Sequence, residues 1–315
     1  MGSTEVRTLH EPTGSNVPAM LLNLAGVTAA WASLAWAWPT ANPFWTGFVI
    51  LWLAYFQHTW TTIFHEDAHH TLYRARWHNI FNGMIVGTLL MVPFSVYRQV
   101  HIRHHAKMST PDDWELWPYC DPGQSLRFRR IFLFFDIFLG LWAGPYVYGR
   151  IFFVRHSPLT DPKLRRRILL EYLLIVVFWG SILTLVAYTD AWWLFAKVYL
   201  IPAWLTGVIQ TIRKLTEHLG LPAGDPMLGA RTVLSKSPVG RAMEYTSFHI
   251  SAHGLHHQYP QMPHDHLEKA YELKSSETSA PVFPNYWRAM LDMCSHLRRP
   301  GIGVNAGIGT GANHS

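Results

Sequence analysis

Charge is scarce in this sequence. Only 15% of its 315 residues are Asp, Glu, Lys or Arg, against about 25% in an average soluble protein. So little charge cannot cover a surface that faces water on all sides. With 49% hydrophobic residues, long apolar runs and 15 Trp, the composition points to a membrane protein. Cysteine is scarcer still. Cys120 and Cys294 are the whole complement. That excludes a disulfide framework and any CxxC zinc or iron–sulfur pattern, and it is compatible with a reducing cytoplasm. There is no Gly-rich dinucleotide fingerprint, no internal repeat, and no basic helix or stacking module for nucleic acid. The polar stretch before Val17 does not read as a signal peptide. The net charge of +6 sits in short basic segments beside the apolar runs, as in loops retained on the cytoplasmic side of a membrane.

Histidine is abundant by contrast, 19 of 315 residues. Three clusters stand out: His65-Glu66-Asp67-Ala68-His69-His70, His101-Ile102-Arg103-His104-His105 and His253-Gly254-Leu255-His256-His257. Their spacings are HxxxH, HxxHH and HxxHH. Residues three and four apart share a helix face, so each cluster can aim two or three imidazoles at one spot. A single HxxxH pair arises easily by chance. At ~6% His, however, three fixed positions agree with a probability of roughly 0.0002 per window, and two such matches call for a cause. Imidazole suits Zn, Cu, Fe and Ni. A structural zinc closes with four ligands, and eight or more are available here, which favours a dinuclear centre. His58, His78, His156, His264, His266 and His296 match no cluster and are read as ordinary histidines.

The clusters constrain the topology. Val17–Trp38 is long enough to span a bilayer. After a turn at Pro39–Pro43, a second span, Phe44–Phe64, delivers His65 to a membrane surface. Asn79–Tyr97 is apolar and carries Gly83, Gly87 and Pro93. A crossing here would put the first two clusters on opposite sides, so this run is expected to be a re-entrant or interfacial hairpin. Ile131–Phe153, interrupted by Asp136, Gly140 and Gly144-Pro145, is assigned to the interface. Ile168–Tyr188 and Ala191–Ile209 form a second hairpin around Thr189-Asp190. Arg150, Arg155, Lys163, Arg165, Arg166 and Arg167 precede the third span, and Arg213 and Lys214 follow the fourth. The turns on the other side have neither Lys nor Arg. The positive-inside bias therefore puts both termini and all three clusters in the cytoplasm. The expected architecture is all-α and integral to the membrane: four transmembrane helices in two hairpins, interfacial helices, and a cytoplasmic histidine-rich cap. Residues 17–299 make one domain between flexible tails at 1–16 and 300–315. Helices are expected at Ala242–His257, His264–Glu272 and Asn285–Arg298, and Trp36, Trp38, Trp192 and Trp193 read as interfacial anchors.

With these boxes the chain resembles the integral-membrane fatty acid desaturase superfamily, whose hallmark is three histidine boxes of this spacing. The likeness extends to Asn79, Gly83 and Pro93-Phe94 between the first two boxes, Arg98 before His101, and Pro111-Asp112-Asp113 after box two. It continues through Tyr259-Pro260, Pro263 and Leu267 after box three. Thr216-Glu217-His218-Leu219-Gly220 resembles an element that often adds a ligand ahead of box three. The resemblance implies two iron ions, molecular oxygen as oxidant, and a membrane lipid or other fatty acyl substrate. It implies metal ligation by His65, His69, His101, His104, His105, His218, His253, His256 and His257. His70 stands where many relatives have a small residue, and His249 where many have Asn. Either is a candidate extra ligand or a neighbour that tunes the ligands. Glu66, Asp67 and Glu217 are candidates for orienting ligands, because metal-bound His usually donates its other N–H to a carboxylate or carbonyl.

The implied reaction is desaturation of an aliphatic chain. The same boxes serve hydroxylases, carotenoid ketolases and hydroxylases, acetylenases and terminal-alkene-forming decarboxylases. The chain lacks the His-Pro-Gly-Gly haem motif of fused cytochrome b5 domains, so the resemblance implies a separate electron donor of ferredoxin, rubredoxin or cytochrome type, with its reductase. A different class, a membrane metal-binding or transport protein, would place ionisable residues within the spans. Here the clusters flank them. Metal stoichiometry and oxygen dependence separate the two classes.

Overall fold

The computed structural model describes Leu9 and residues 16–36, 42–274 and 280–306. The tails expected at 1–16 and 300–315 and the turn at 39–43 lie partly or largely outside those residues. The chain is mainly helical. Helix α1 is Asn16–Trp36 and α2 is Pro43–His69. Asn42 caps α2 by accepting the Phe44 N–H, with Pro43 pre-set for the first turn. Helix α2 ends where His70 turns left-handed at φ 62°, one residue past the last imidazole of the HxxxH pair. Asn23 ties the first two helices together, donating to the Phe56 carbonyl at 2.8 Å and accepting from the Trp60 indole at 3.1 Å.

The run expected to re-enter does bend back. Helices α3 (Arg76–Leu89) and α4 (Phe94–Lys107) meet at 107°. Pro93 precedes α4, and proline cannot continue a helix from before. Gly83 and Gly87 let the bend close: a Cβ on Gly83 would lie 2.4 Å from the Phe94 ring, and one on Gly87 2.5 Å from the Val92 carbonyl. The 131–153 run is likewise broken, into α5 (Leu126–Phe138) and α6 (Gly140–Phe153). Helix α7 is Pro162–Tyr188. Helix α8 runs over Trp192–His218 with one π turn at Ala196–Leu200. Gly140 and Gly207 permit α6 and α8 to cross backbone to backbone, since a Cβ on Gly207 would meet the Gly140 carbonyl at 2.1 Å. Asp136, which interrupts the apolar run in the sequence, is buried and accepts from Lys214 at 2.6 Å and Tyr119 at 2.9 Å.

Helices α1 (over Asn16–Leu34), α7 and α8 are long and apolar enough to cross a membrane; the bent α3–α4 pair, counted as one, raises the number to four. Helix α2 is long enough, at 27 residues or ~40 Å, but its second half is too polar. Gln57, His58, Thr59 and Thr62 are buried there, and Thr61 donates to Gln210 of α8 at 2.8 Å. The apolar flank of α7, with Leu173, Val176, Val177 and Leu185 exposed, suits contact with lipid.

The remainder differs from expectation at one place that matters. A continuous helix over Ala242–His257 is not formed. Helix α9 stops at Thr246 (Pro238–Thr246), Phe248 and His249 adopt φ of 56° and 47°, and α10 is the short helix His253–Gln258. Two consecutive left-handed residues cannot continue a right-handed helix, and this turn re-aims the third cluster. A 3₁₀ turn at His264–His266 leads into α11 (Leu267–Lys274), and α12 is Tyr286–Cys294. Strands β1 (Thr232–Val233) and β2 (Val282–Phe283) pair in parallel.

Candidate metal centre

Four helix ends converge. His65 and His69 sit on the last turns of α2, and His101, His104 and His105 on those of α4. His218 is the last residue of α8, and His253, His256 and His257 lie on α10. Eight of the nine are buried and His105 is half-buried. They sort into two sets, His65, His69, His101, His105 and His256 in one, and His104, His218, His253 and His257 in the other. Within each set, one ring nitrogen from each residue lies within 4.8 Å of those of all the others. The sets adjoin, with the His105 and His257 ring centroids 4.3 Å apart.

The HxxHH spacing explains the division. Residues four apart point the same way on a helix, and an adjacent residue points about 100° away. In α4 the pair His101 and His105 joins the five-membered set and His104 the other. In α10 the pair His253 and His257 joins the four-membered set and His256 the other. Each HxxHH box therefore serves both sets.

Carboxylates orient several rings. His101 Nδ1 donates to Glu115 Oε2 at 2.9 Å, and His104 Nδ1 to Asp113 Oδ2 at 2.8 Å. His65 Nδ1 lies 3.1 Å from Glu66 Oε1, and Thr71 donates to the other Glu66 oxygen at 2.6 Å. His218 Nδ1 donates to the Gly229 carbonyl at 3.2 Å. Burial lowers the His104 imidazole and Asp113 raises it; the carboxylate prevails, to about 9. Burial would raise the Glu115 carboxyl, but His101 and His104 outweigh it and hold it at about 2. Burial drives His253, His256 and His257 well below the ordinary imidazole range. They stand neutral, the form that binds metal.

The sets suit cations. With Nδ1 donating, a neutral His101 or His218 has a bare lone pair on Nε2. His101 Nε2 nonetheless faces His69 Nε2 at 2.9 Å and His105 Nε2 at 3.2 Å. In the other set, His253 Nε2 lies 2.9 Å from His218 Nε2 and 3.1 Å from His257 Nε2. His65 Nε2 is buried with no hydrogen-bond partner. Two such nitrogens can share one N–H···N hydrogen bond, and nitrogens bound at about 2.1 Å to one ion likewise lie within about 4.2 Å of each other. The two sets are thus compatible with a metal centre.

Other candidates lie elsewhere. His70 and His249 belong to neither set, and His249 instead meets His264 at 2.9 Å. Asp67 accepts from Asn82 at 2.7 Å rather than from an imidazole. Glu217 pairs with Arg213 at 2.9 Å, and its other oxygen is 3.6 Å from His253 Nε2. Glu115 was missed as an orienting group because it follows box two at no helical spacing. Its one signal was a carboxylate in a chain with few charges. Asp113 was visible only within the Pro-Asp-Asp likeness. A cavity leads to the centre, lined with Trp60, Phe64, Leu90, Val92 and Ala203 and reaching His65, His101, His104, His218 and His253.

A family model described as fatty acid desaturase matches residues 43–288, which include all nine histidines. The chain is 23% identical over 279 residues to an sn-1 acyl-lipid omega-3 desaturase (ferredoxin) from Nostoc sp. (strain 36), covering 79% of this chain and 74% of that protein. It is 26% identical over 233 residues to a Delta(12) fatty acid dehydrogenase from Crepis alpina, covering 65% and 61%. It is 24% identical over 259 residues to a sphingolipid delta(4)-desaturase/C4-monooxygenase from Rattus norvegicus, covering 76% and 68%.

Proposed function

The chain belongs to the fatty acid desaturase family, and on that premise we propose that it is an oxygen-dependent di-iron enzyme that introduces a C=C bond into a fatty acyl chain in the membrane. Family membership makes it an oxidoreductase of the membrane, not a metal transporter. The observation that carries the finer reading is the sorting of nine histidines into two adjoining sets. His65, His69, His101, His105 and His256 would hold one iron, and His104, His218, His253 and His257 the other. Two irons so held would supply, with molecular oxygen, the oxidising power to remove hydrogen from an unactivated CH₂.

The chain's own residues supply position and dryness. Glu115, Asp113 and the Gly229 carbonyl fix ring orientations, so that Nε2 faces inward. The apolar walls at Trp60, Phe64, Leu90 and Val92 receive the acyl chain and exclude water, and depth in the cavity selects the carbon attacked. Each turnover removes two hydrogens from –CH₂–CH₂–, consumes one O₂, two electrons and two protons, and releases two waters. The electrons therefore come from a separate donor with its reductase. A ferredoxin is favoured over a rubredoxin or cytochrome because two similar proteins carry ferredoxin in their names. In this reading α2 crosses the membrane despite its polar second half, whose Thr61 meets Gln210 of α8, so that α1 with α2 and α7 with α8 form the two hairpins. The basic segment at 163–167 keeps the histidine end cytoplasmic.

A second reading has one specific support. The rat relative is named as both a desaturase and a C4-monooxygenase, so hydroxylation at the same carbon is the rival outcome. Mass spectrometry of lipids from a host expressing the chain with a competent donor, beside a His104→Ala control, tests both. Loss of two hydrogens from an acyl chain supports desaturation, and gain of one oxygen supports hydroxylation. No control-sensitive product would overturn the acyl-lipid reading.

A further inference from the structure

The two HxxHH boxes do not receive equal support. In α4, His101 and His104 are each braced by a carboxylate. In α10, His253 Nδ1 and His257 Nδ1 are buried without any hydrogen-bond partner. Their Nε2 atoms face other members of the set and, for His253, Glu217 at 3.6 Å, so with Nδ1 unbraced their aim depends mainly on where the backbone of α10 is held. His218 also lacks a carboxylate, and its ring leans on the Gly229 carbonyl.

One short segment touches both. Gly229 accepts from His218. The Arg231 backbone N–H donates to the Glu217 carbonyl at 2.9 Å. The Arg231 guanidinium donates to the carbonyls of Thr216 and Leu219, each at 2.9 Å. These lie in the last turn of α8 and at Leu219 just past it, where carbonyls lack partners within the helix, and they flank His218. On its far side Arg231 is held by Asp292 of α12 at 2.7 Å. The next residue faces the other way: Thr232 Oγ1 accepts the Gly254 N–H at 3.1 Å, inside the third box. Thr232 also forms a backbone bridge with Ala252, and Val233 N–H donates to the Ser251 carbonyl at 2.8 Å. Arg231 and Thr232 are both buried, with exposures of 3% and 1%. The fit is tight enough to demand glycine: a Cβ on Gly254 would lie 2.6 Å from Thr232 Oγ1 and 3.0 Å from the Ala230 carbonyl.

We infer that Gly229–Val233, a segment without a histidine, is the positioning strap of the four-histidine set, and that Arg231 and Thr232 are its positioning residues. Arg231 holds the helix end that carries His218. Thr232 holds the helix that carries His253 and His257. Their adjacency couples the two supports, so His218 and the third box keep a fixed separation. The five-histidine set draws only His256 from this region and rests mainly on α2 and α4. Loss of the strap therefore acts on one ion before the other. The inference rests on the two-ion reading given above.

Arg231→Lys keeps the charge but loses the guanidinium that reaches two carbonyls through Nη1 while Nε holds Asp292 on the far side. Thr232→Val keeps the shape and removes the acceptor for Gly254. Arg241→Lys is the control, since the Arg241 side chain is exposed on α9 and pairs with Glu268 at 3.9 Å. The full-length chain is purified in lipid nanodiscs, loaded with ferrous iron, and assayed for iron per chain, for release to a chelator, and for the thermal midpoint of the iron-free protein. Wild type and Arg241→Lys are expected to hold two ions. Arg231→Lys and Thr232→Val are expected to weaken one ion by about 10- to 100-fold. Each then keeps about one ion, with wild-type chelator release for that ion and an unchanged iron-free midpoint. Two ions in both variants with wild-type release would overturn the inference. So would loss of both ions together with a lowered iron-free midpoint, because that marks a merely structural strap. If Arg231→Lys fails to fold, Thr232→Val decides alone. Wild type holding fewer than two ions would instead overturn the two-ion reading itself, and the strap with it.

Discussion

The two histidine sets reach similar compactness by different routes. The five-membered set hangs from the ends of two long helices, α2 and α4, and carboxylates brace its rings: Glu66 at His65 and Glu115 at His101. The four-membered set takes one ring from α4, one from the last residue of α8, and two from the six-residue helix α10. Only His104 in it has a carboxylate on Nδ1. A short helix is weak on its own, and this half of the candidate centre rests against the Gly229–Val233 segment. The comparison teaches that identical box spacings do not imply identical support.

Substitutions within α4 test the division most severely. His101 and His104 are three residues apart and belong to different sets. His101→Ala and His104→Ala are both expected to abolish product in the lipid assay, yet each should remove a different single ion, distinguishable by which chelator-release phase is lost. Product from either variant breaks the comparison. The next effect concerns bracing. Glu115→Gln removes the charge that His101 leans on and is expected to weaken the five-histidine ion by about 10- to 100-fold, leaving release of the other ion unchanged. A smaller effect is expected from Asp292→Asn, which loosens the four-histidine ion only two- to fivefold. That is the scale of a partly exposed ion pair of up to about 1 kcal/mol, and a larger loss measured by iron titration would mean that α12 does more than hold Arg231. Smallest of all, His249→Asn and His70→Gly lie outside both sets and are expected to change product yield no more than about twofold. Loss of an ion in either variant would redraw the sets.

Much of the candidate centre's geometry was readable because the histidines obey helical periodicity. The i, i+3 and i+4 spacings put His65 with His69 and His101 with His105 on shared faces, and the need to keep the boxes on one side required the α3–α4 run to turn back at Pro93. Cysteine, nucleotide and nucleic-acid readings fell away on composition alone. What stayed hidden depends on contacts across the chain. The 242–257 stretch has helical composition, but Phe248 and His249 adopt left-handed backbone that its sequence does not demand. Glu115 meets His101 by loop closure, and the β1–β2 pairing joins segments 50 residues apart, Thr232 with Val282. Helix α2 was expected as a span, but the polar residues that face α8 make it less apolar than a simple lipid-exposed helix.

The central claim is that nine histidines hold two ions, one in each set. Anomalous diffraction at the iron edge, on crystals of the iron-loaded chain, measures this directly. The account predicts two peaks per chain, one enclosed by His65, His69, His101, His105 and His256 and the other by His104, His218, His253 and His257. A single peak shared by both sets, or a peak at His249 and His264, would contradict it.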